Sequence, residues 1–410
     1  MKKRAFLTIF GSILLSTGFI GIKSPEKIFT KAENEYRQTF VDGVENVDVF
    51  AENHLDIQAK SAYLMNYDTG TCVYALNETK RLPIASMCKI MTLTLCFEAI
   101  DQGNLTFDEE ICISEKASSM GGSQVFLEAN AKYPARELIK SIVVCSANDS
   151  CVAMAERICG SEELFIEKMN EKAKQLGATD TLFANCTGLP KEPQYSTAKD
   201  VSLMLKELLT HKEYYEFGKV WLDKFTHPQG RYTEITNTNK LVRFYDGCDG
   251  GKTGFTNQAG FCLAATAKRN NMRMISVVIG EENSKTRFND VKKMFDFAFA
   301  NYTMTPIIFS NQTLEKTTSV SGGKTNDLKV RPSKNAYVFT KRGEKANTHT
   351  EVIFKPLRAP IKKGERVGDI LLFKDNIEIE RISLVAENSI EKANYFDCIK
   401  EIAKSWTARK

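Results

Sequence analysis

From Met87 to Ile100 the chain sets an apolar residue on nearly every face of a helix-forming stretch: Met87, Ile90, Met91, Leu93, Leu95, Cys96, Phe97 and Ile100. A helix that is apolar all round has to be enclosed, so the fold must be built around this segment. Pro83, just ahead of it, suits a helix start because its missing N–H costs nothing there. Within the first turn lies Lys89, with Ser86 three positions earlier on the same face. Dry surroundings disfavour the ammonium form and lower a lysine's pKa, and a hydroxyl beside a neutral amine is an activated nucleophile. The helix N-terminus adds free N–H groups and a positive dipole end where a developing oxyanion could rest. Ser-x-x-Lys alone says little, since a serine at a helix start usually caps.

The order of the remaining elements sets the architecture. Ala62–Tyr67 and Cys72–Leu76 flank Asp68-Thr69-Gly70, a hairpin pattern. Helical stretches follow at 137–145, 149–158, 164–176 and 199–209. Strand character returns after Gly250, with 261–266 and 272–279 joined across Lys268 to Asn271. This order predicts one antiparallel sheet assembled from both ends of a domain, with a helical subdomain inserted between them. From about Pro306 the pattern changes to short strands at 336–339, 351–354 and 368–373, with an alternation through Glu380, Ile382 and Leu384, which reads as a small all-β domain.

Both termini suggest a surface. Lys2, Lys3 and Arg4 precede an uncharged, mainly apolar run from Ala5 to Ile22, the pattern of an export signal, and nearly long enough to span a membrane uncleaved. In 387–410, Tyr395, Phe396, Ile399, Ile402 and Trp406 fall on one helical side, with charged residues opposite. That amphipathic helix suits a membrane interface or packing on the β domain. A net charge of +5 spread over 410 residues gives no support to nucleic-acid binding. Four histidines and no Cys-x-x-Cys pair argue against a metal site. The 11 cysteines are odd in number and several lie in apolar helical runs, which favours reduced thiols over a disulfide framework.

Two further motifs complete a pattern. Ser146-Ala147-Asn148 lies between two helices of the insert, and Lys252-Thr253-Gly254 leads into the strand hairpin at the sheet edge. Ser-x-x-Lys, Ser-x-Asn and Lys-Thr-Gly, in that order on helix, loop and strand, resemble the signature of penicillin-recognising serine acyltransferases. Alanine stands where that signature has aspartate, while its serine and asparagine are kept. Ala85 to Thr92, Phe183 to Leu189, Tyr195 to Asp200 and Gly250 to Thr256 resemble, more narrowly, the low-molecular-mass D-alanyl-D-alanine carboxypeptidases.

The resemblance implies an α/β (α+β) fold of the β-lactamase/transpeptidase type over 47–305. A signal or anchor at 1–29 and a linker at 30–46 would precede it. The β-rich domain at 306–386 and the membrane-associating helix at 387–410 would follow. It further implies a cofactor-free peptidase acting on peptidoglycan stem peptides that end in D-alanyl-D-alanine, blocked by β-lactams and held at the outer face of the cytoplasmic membrane. Ser86 would attack, Lys89 take its proton, Ser146 pass a proton to the leaving nitrogen, and Asn148 orient Lys89 and the substrate amide. Lys252 and Thr253 would meet the terminal carboxylate with help from Arg287. The N–H groups of Ser86 and Phe255 would form the oxyanion hole, and Gly254 would leave the strand edge open to substrate. Phe183 to Leu189 and Tyr195 to Asp200 read as structural, with Ser196 or Thr197 capping a helix. A serine β-lactamase or transpeptidase is the alternative within this chemistry, and an inactive wall-binding homologue the alternative outside it.

Overall fold

The computed structural model describes residues 55–397 and 399, apart from 319 and 326. The expected export segment at 1–29 and the linker at 30–46 lie outside the described residues.

Strands β1 (Ser61–Asn66) and β2 (Cys72–Leu76) form the first hairpin. Its turn is closed by Asn66, whose side-chain oxygen accepts the Thr69 N–H at 2.9 Å, and by Gly70 at φ +72°. A short 3-10 turn, Ala85–Cys88, runs into α1 (Lys89–Asp101). The insert follows as α2 (Ala135–Cys145), α3 (Asn148–Cys159), α4 (Glu162–Gln175) and α5 (Ala198–Leu208). Thr197, not Ser196, caps α5, its hydroxyl accepting the Asp200 N–H.

A small hairpin of β3 (Leu222–Thr226) and β4 (Tyr232–Thr236) leads to β5 (Cys248–Thr256), β6 (Gly260–Arg269) and β7 (Met272–Glu281). The helix α6 (Ser284–Asn301) follows, with Asn283 as its cap. The main sheet has the order β2-β1-β7-β6-β5 and every pairing in it is antiparallel. Strands from both ends of the domain thus meet at β1 and β7, as the element order predicts. The residues at 250–254 prove to be part of a strand, and that strand forms one edge of the sheet.

Ten of the thirteen residues of α1 are buried, from Lys89 through Phe97 together with Ala99. Each large apolar side chain it buries stabilises the fold by roughly 1.5–3 kcal/mol. The helix is therefore the hub of the insert's core.

Strands β8 (Tyr302–Ile308), β9 (Leu314–Thr318), β10 (Leu328–Pro332), β11 (Ala336–Lys341), β12 (Thr348–Phe354), β13 (Arg366–Lys374) and β14 (Ile377–Ala386) make up the C-terminal part. They form a five-stranded sheet, β9-β10-β14-β13-β12, and the pair β8-β11. The helix expected from Glu387 starts eight residues later. Ile390 is buried and bridges Ile361, so 387–394 completes the β part instead. Asn394 and Asp397 then exchange backbone-to-side-chain hydrogen bonds at 3.0 Å, a reciprocal cap that opens the helix at Tyr395. Residues 400–410 lie outside the described residues.

Candidate active site

The 3-10 turn holds Ser86 half-buried at the mouth of α1, preceded by Ala85 at φ +46°. A non-glycine residue in that region is strained, and such strain clusters at functional sites. Gly188 makes it possible, because a Cβ there would lie 2.1 Å from the Ala85 carbonyl oxygen. Gly254 supports the turn from the other side, where a Cβ would lie 2.6 Å from the Ile84 oxygen and 3.3 Å from the Met87 nitrogen. The glycine expected to clear room for substrate thus clears room for the nucleophile's own turn.

Lys89 is fully buried, as expected, but its surroundings are polar and not dry. Its Nζ donates to Ser86 Oγ at 3.0 Å, to Asn148 Oδ1 at 2.7 Å and to the Thr187 carbonyl oxygen. Three oxygen partners thus hold the end of the side chain in place. Thr187 belongs to the segment that the sequence pattern marked as structural only. Three consecutive carbonyls of that segment take hydrogen bonds from the start of α1: Asn185 from Cys88 Sγ, Cys186 from Thr92 Oγ1 and Thr187 from Lys89. Asn185 shapes the loop, its Oδ1 accepting from the N–H groups of Thr187 and Gly188. No residue-type signal marks Thr187, since its backbone makes the contact.

Ser146 ends α2 in the left-handed region at φ 66°. Its buried Oγ has no hydrogen-bond partner among the described residues. Asn148 opens α3 and is fixed on two sides, its Nδ2 donating to the Gly121 oxygen and its N–H to the Ser123 oxygen, both at 2.7 Å. Asp149 anchors the same covering loop by accepting the N–H groups of Val125 at 3.0 Å and Leu127 at 3.2 Å. Burial raises its carboxyl above the ordinary value, against the pull of those donors.

On β5, Lys252 is 1% exposed, and the hydrogen bond recorded for its Nζ is a long one, 3.4 Å to the Thr253 oxygen. Burial first, and then the nearby charge of Lys89, push its pKa down to about 7. Thr253 Oγ1 donates to Thr238 Oγ1 at 2.8 Å. Phe255 is half exposed and packs on Phe261 at 4.3 Å between ring centres. Arg287 is buried behind β5, donating to the carbonyls of Gly254 and Cys262 at 3.2 Å, and burial lowers its pKa to about 10. It braces the strand, and one donor, Nε, has no partner among the described residues. Ser86, Lys89 and Asn148 are in direct contact, and Lys252 lies within reach of the Lys89 charge. Such a set can carry out acyl transfer to a serine from a substrate bearing an anion.

The fold and site together define a serine acyl-transfer enzyme. A profile of the D-alanyl-D-alanine carboxypeptidase family matches residues 48–283, and one for the C-terminal domain of penicillin-binding protein 5 matches 302–392. The chain is 42% identical over 352 residues to the D-alanyl-D-alanine carboxypeptidase DacF of Bacillus subtilis, covering 85% of this chain and 90% of that protein. It also resembles the crystal structure of penicillin binding protein 5 from Haemophilus influenzae, with a TM-score of 0.64 and 30% identity over 82% of this chain and 98% of that one. A third relative is penicillin-binding protein D2 from Listeria monocytogenes in its ampicillin-bound form, with a TM-score of 0.55 and 31% identity over 60% of this chain and 100% of that one. This chain belongs to the D-alanyl-D-alanine carboxypeptidase family of low-molecular-mass penicillin-binding proteins. It is a serine-type hydrolase of that family.

Proposed function

We propose that the chain removes the terminal D-alanine from peptidoglycan stem pentapeptides through an ester on Ser86, and that β-lactams acylate the same oxygen. The observation that carries this reading is the pairing of opposites at one site: a half-buried serine on a donor-rich helix start, and a buried lysine with no anionic partner among the described residues. Ser86 Oγ adds to the carbonyl carbon of the penultimate residue while Lys89, 3.0 Å away, takes its proton. The N–H groups of Ser86 and Phe255 hold the oxyanion. The C–N bond breaks as Ser146 Oγ, free of other partners, passes a proton to the departing amine. Lys252 and Thr253 bind the carboxylate of that leaving residue, and an anion there supplies the counter-charge that buried Lys252 lacks. Arg287 contributes to this contact through the backbone of β5 or by swinging its unpartnered edge toward the anion. Water then cleaves the ester.

Incubating the protein with a pentapeptide ending in two D-alanines should release free D-alanine. Ser86→Ala should abolish both this release and covalent labelling by a fluorescent penicillin, with the circular dichroism spectrum unchanged. Labelling that persists in the variant rules out Ser86.

The same reading places the protein at the outer face of the cytoplasmic membrane. Its support is the basic and then apolar start of the chain, and the helix that begins with Tyr395 and Phe396, 76% and 73% exposed, and Ile399, 46% exposed. Burying such side chains in an interface gives up to roughly 1.5–3 kcal/mol each, and Lys400, Lys404, Arg409 and Lys410 add attraction to anionic lipid. With residues 1–46 removed from both, a protein ending at Asn394 should ignore anionic vesicles, and one extended to Lys410 should sediment with them, less so in high salt. Equal behaviour of the two disproves the anchor.

A further inference from the structure

Two glycines precede Lys252, and the acyl-transfer chemistry accounts for neither. The structure gives each a reason. Gly251 sits at φ +126°, where a Cβ would lie 2.3 Å from the Ala264 oxygen. At Gly250 a Cβ would lie 2.8 Å from both Cε1 and the hydroxyl of Tyr214. The register of β5 against β6 slips here, between Cys248 and Gly250. A bulge of this kind re-aims the residues that follow it.

The peptide plane between the two glycines is held at both ends by buried side chains. Its N–H, that of Gly251, donates to the Tyr214 phenol oxygen at 2.8 Å. Its C=O, that of Gly250, accepts from Asn239 Nδ2 at 3.1 Å. Tyr214 and Asn239 are each 1% exposed. The Tyr214 ring is wedged edge-on against Phe97 of α1, with centroids 6.1 Å apart, and Asn239 Oδ1 is held by the Leu241 N–H at 3.1 Å. One residue from Asn239, Thr238 touches the Thr253 hydroxyl and donates its N–H to the Val144 oxygen of α2 at 3.0 Å. The turn at 237–239 therefore ties the strand of Lys252 and Thr253 to the helix that ends in Ser146.

We propose that Tyr214 and Asn239 are positioning residues that clamp the Gly250–Gly251 peptide plane and thereby aim Lys252 and Thr253, so that preference for ligands ending in a carboxylate depends on the clamp. This rests on the reading of Lys252 and Thr253 as the carboxylate site. Neither clamp residue touches the ligand. Each acts through the one peptide group between Gly250 and Gly251, a single residue ahead of Lys252, where a small rotation is passed on to the end of a long side chain.

The test compares acylation by benzylpenicillin with acylation by its methyl ester, which lacks the anion. Tyr214→Phe keeps the ring and removes the acceptor. It should slow acylation by the acid about three- to tenfold, the effect of one lost hydrogen bond, and leave the ester rate unchanged. In a Lys252→Ala background, Tyr214→Phe should cost nothing further. An equal fall for both ligands, or no fall for either, overturns the proposal. Asn239→Ala carries the same expectation should Tyr214→Phe fail to fold. Lys252→Ala that keeps the preference for the acid overturns the carboxylate reading itself, an outcome distinct from a silent Tyr214→Phe.

Discussion

The two halves of the molecule bury different things. Among the described residues, the half before Tyr302 hides Lys89, Asp149, Lys252, Arg273, Glu281, Arg287 and Asp290. The β part after it buries almost wholly apolar side chains, with Thr340 and Asp369 the polar ones. Its charged pairs, such as Arg381 with Glu378 and Lys334 with Glu380, lie toward solvent. Unpartnered buried polar atoms follow the same division. Ser146 Oγ, Arg287 Nε and both Glu281 oxygens are on the catalytic side, and Tyr302 OH stands at the junction. A buried polar group without a partner costs about 1–3 kcal/mol. Of these atoms, Ser146 Oγ is the one to which the proposed reaction gives a proton to carry.

The largest effect that would break this comparison concerns Lys89. Lys89→Arg should cut penicillin acylation by about 10²–10⁴-fold, because a guanidinium cannot give up its proton and Lys89 would be the general base. An active arginine variant would remove the chemical reason for burying that amine.

In the β part the effect should fall on stability alone. Leu372 on β13 is fully buried in its core. Leu372→Ala should lower stability by about 2–5 kcal/mol and leave the acylation rate unchanged. A matching loss of acylation would show that the β part shapes the site.

The smallest effect tests the polar burial on the catalytic side directly. Burial, and then the neighbouring Asp290, push the Glu281 carboxyl up to about 8. Because that value is raised, the folded chain keeps a proton that the unfolded chain gives up near its ordinary value. Stability present in acid should therefore fall between about pH 5 and 8 and level off above. Asp290 itself accepts the Gln58 N–H at 2.6 Å and pairs with Lys293 at 3.2 Å, so the strain rests on Glu281. Glu281→Gln should flatten the dependence and melt higher than the parent near pH 9. A parent whose melting temperature is already flat over that range contradicts the raised value.

Much of the site was legible because its chemistry resides in side chains at fixed spacings. Ser86 and Lys89 are one helical turn apart, and Asn148 and Lys252 stand in motifs whose order alone placed them together. The antiparallel sheet was legible for a similar reason: hairpins at 61–76 and 260–281 announce themselves by alternation and by turn residues such as Asp68 to Gly70 and Asn270-Asn271. The helix expected at Glu387 was misplaced because amphipathic spacing does not register the bridge from Ile390 to Ile361, which draws that segment into the β part.

Only the tertiary structure decided what surrounds each motif. It set three acceptors around Lys89 and, among the described residues, gave Lys252 no counter-charge. It made Gly188 and Gly254 the supports of the Ser86 turn, and set the phenol of Tyr214 on the peptide between Gly250 and Gly251. These contacts run through backbone carbonyls, amide groups and missing Cβ atoms. Such groups are nearly the same at every position, so residue identity in one dimension carries the reactive atoms, while their partners exist only once distant segments are folded together.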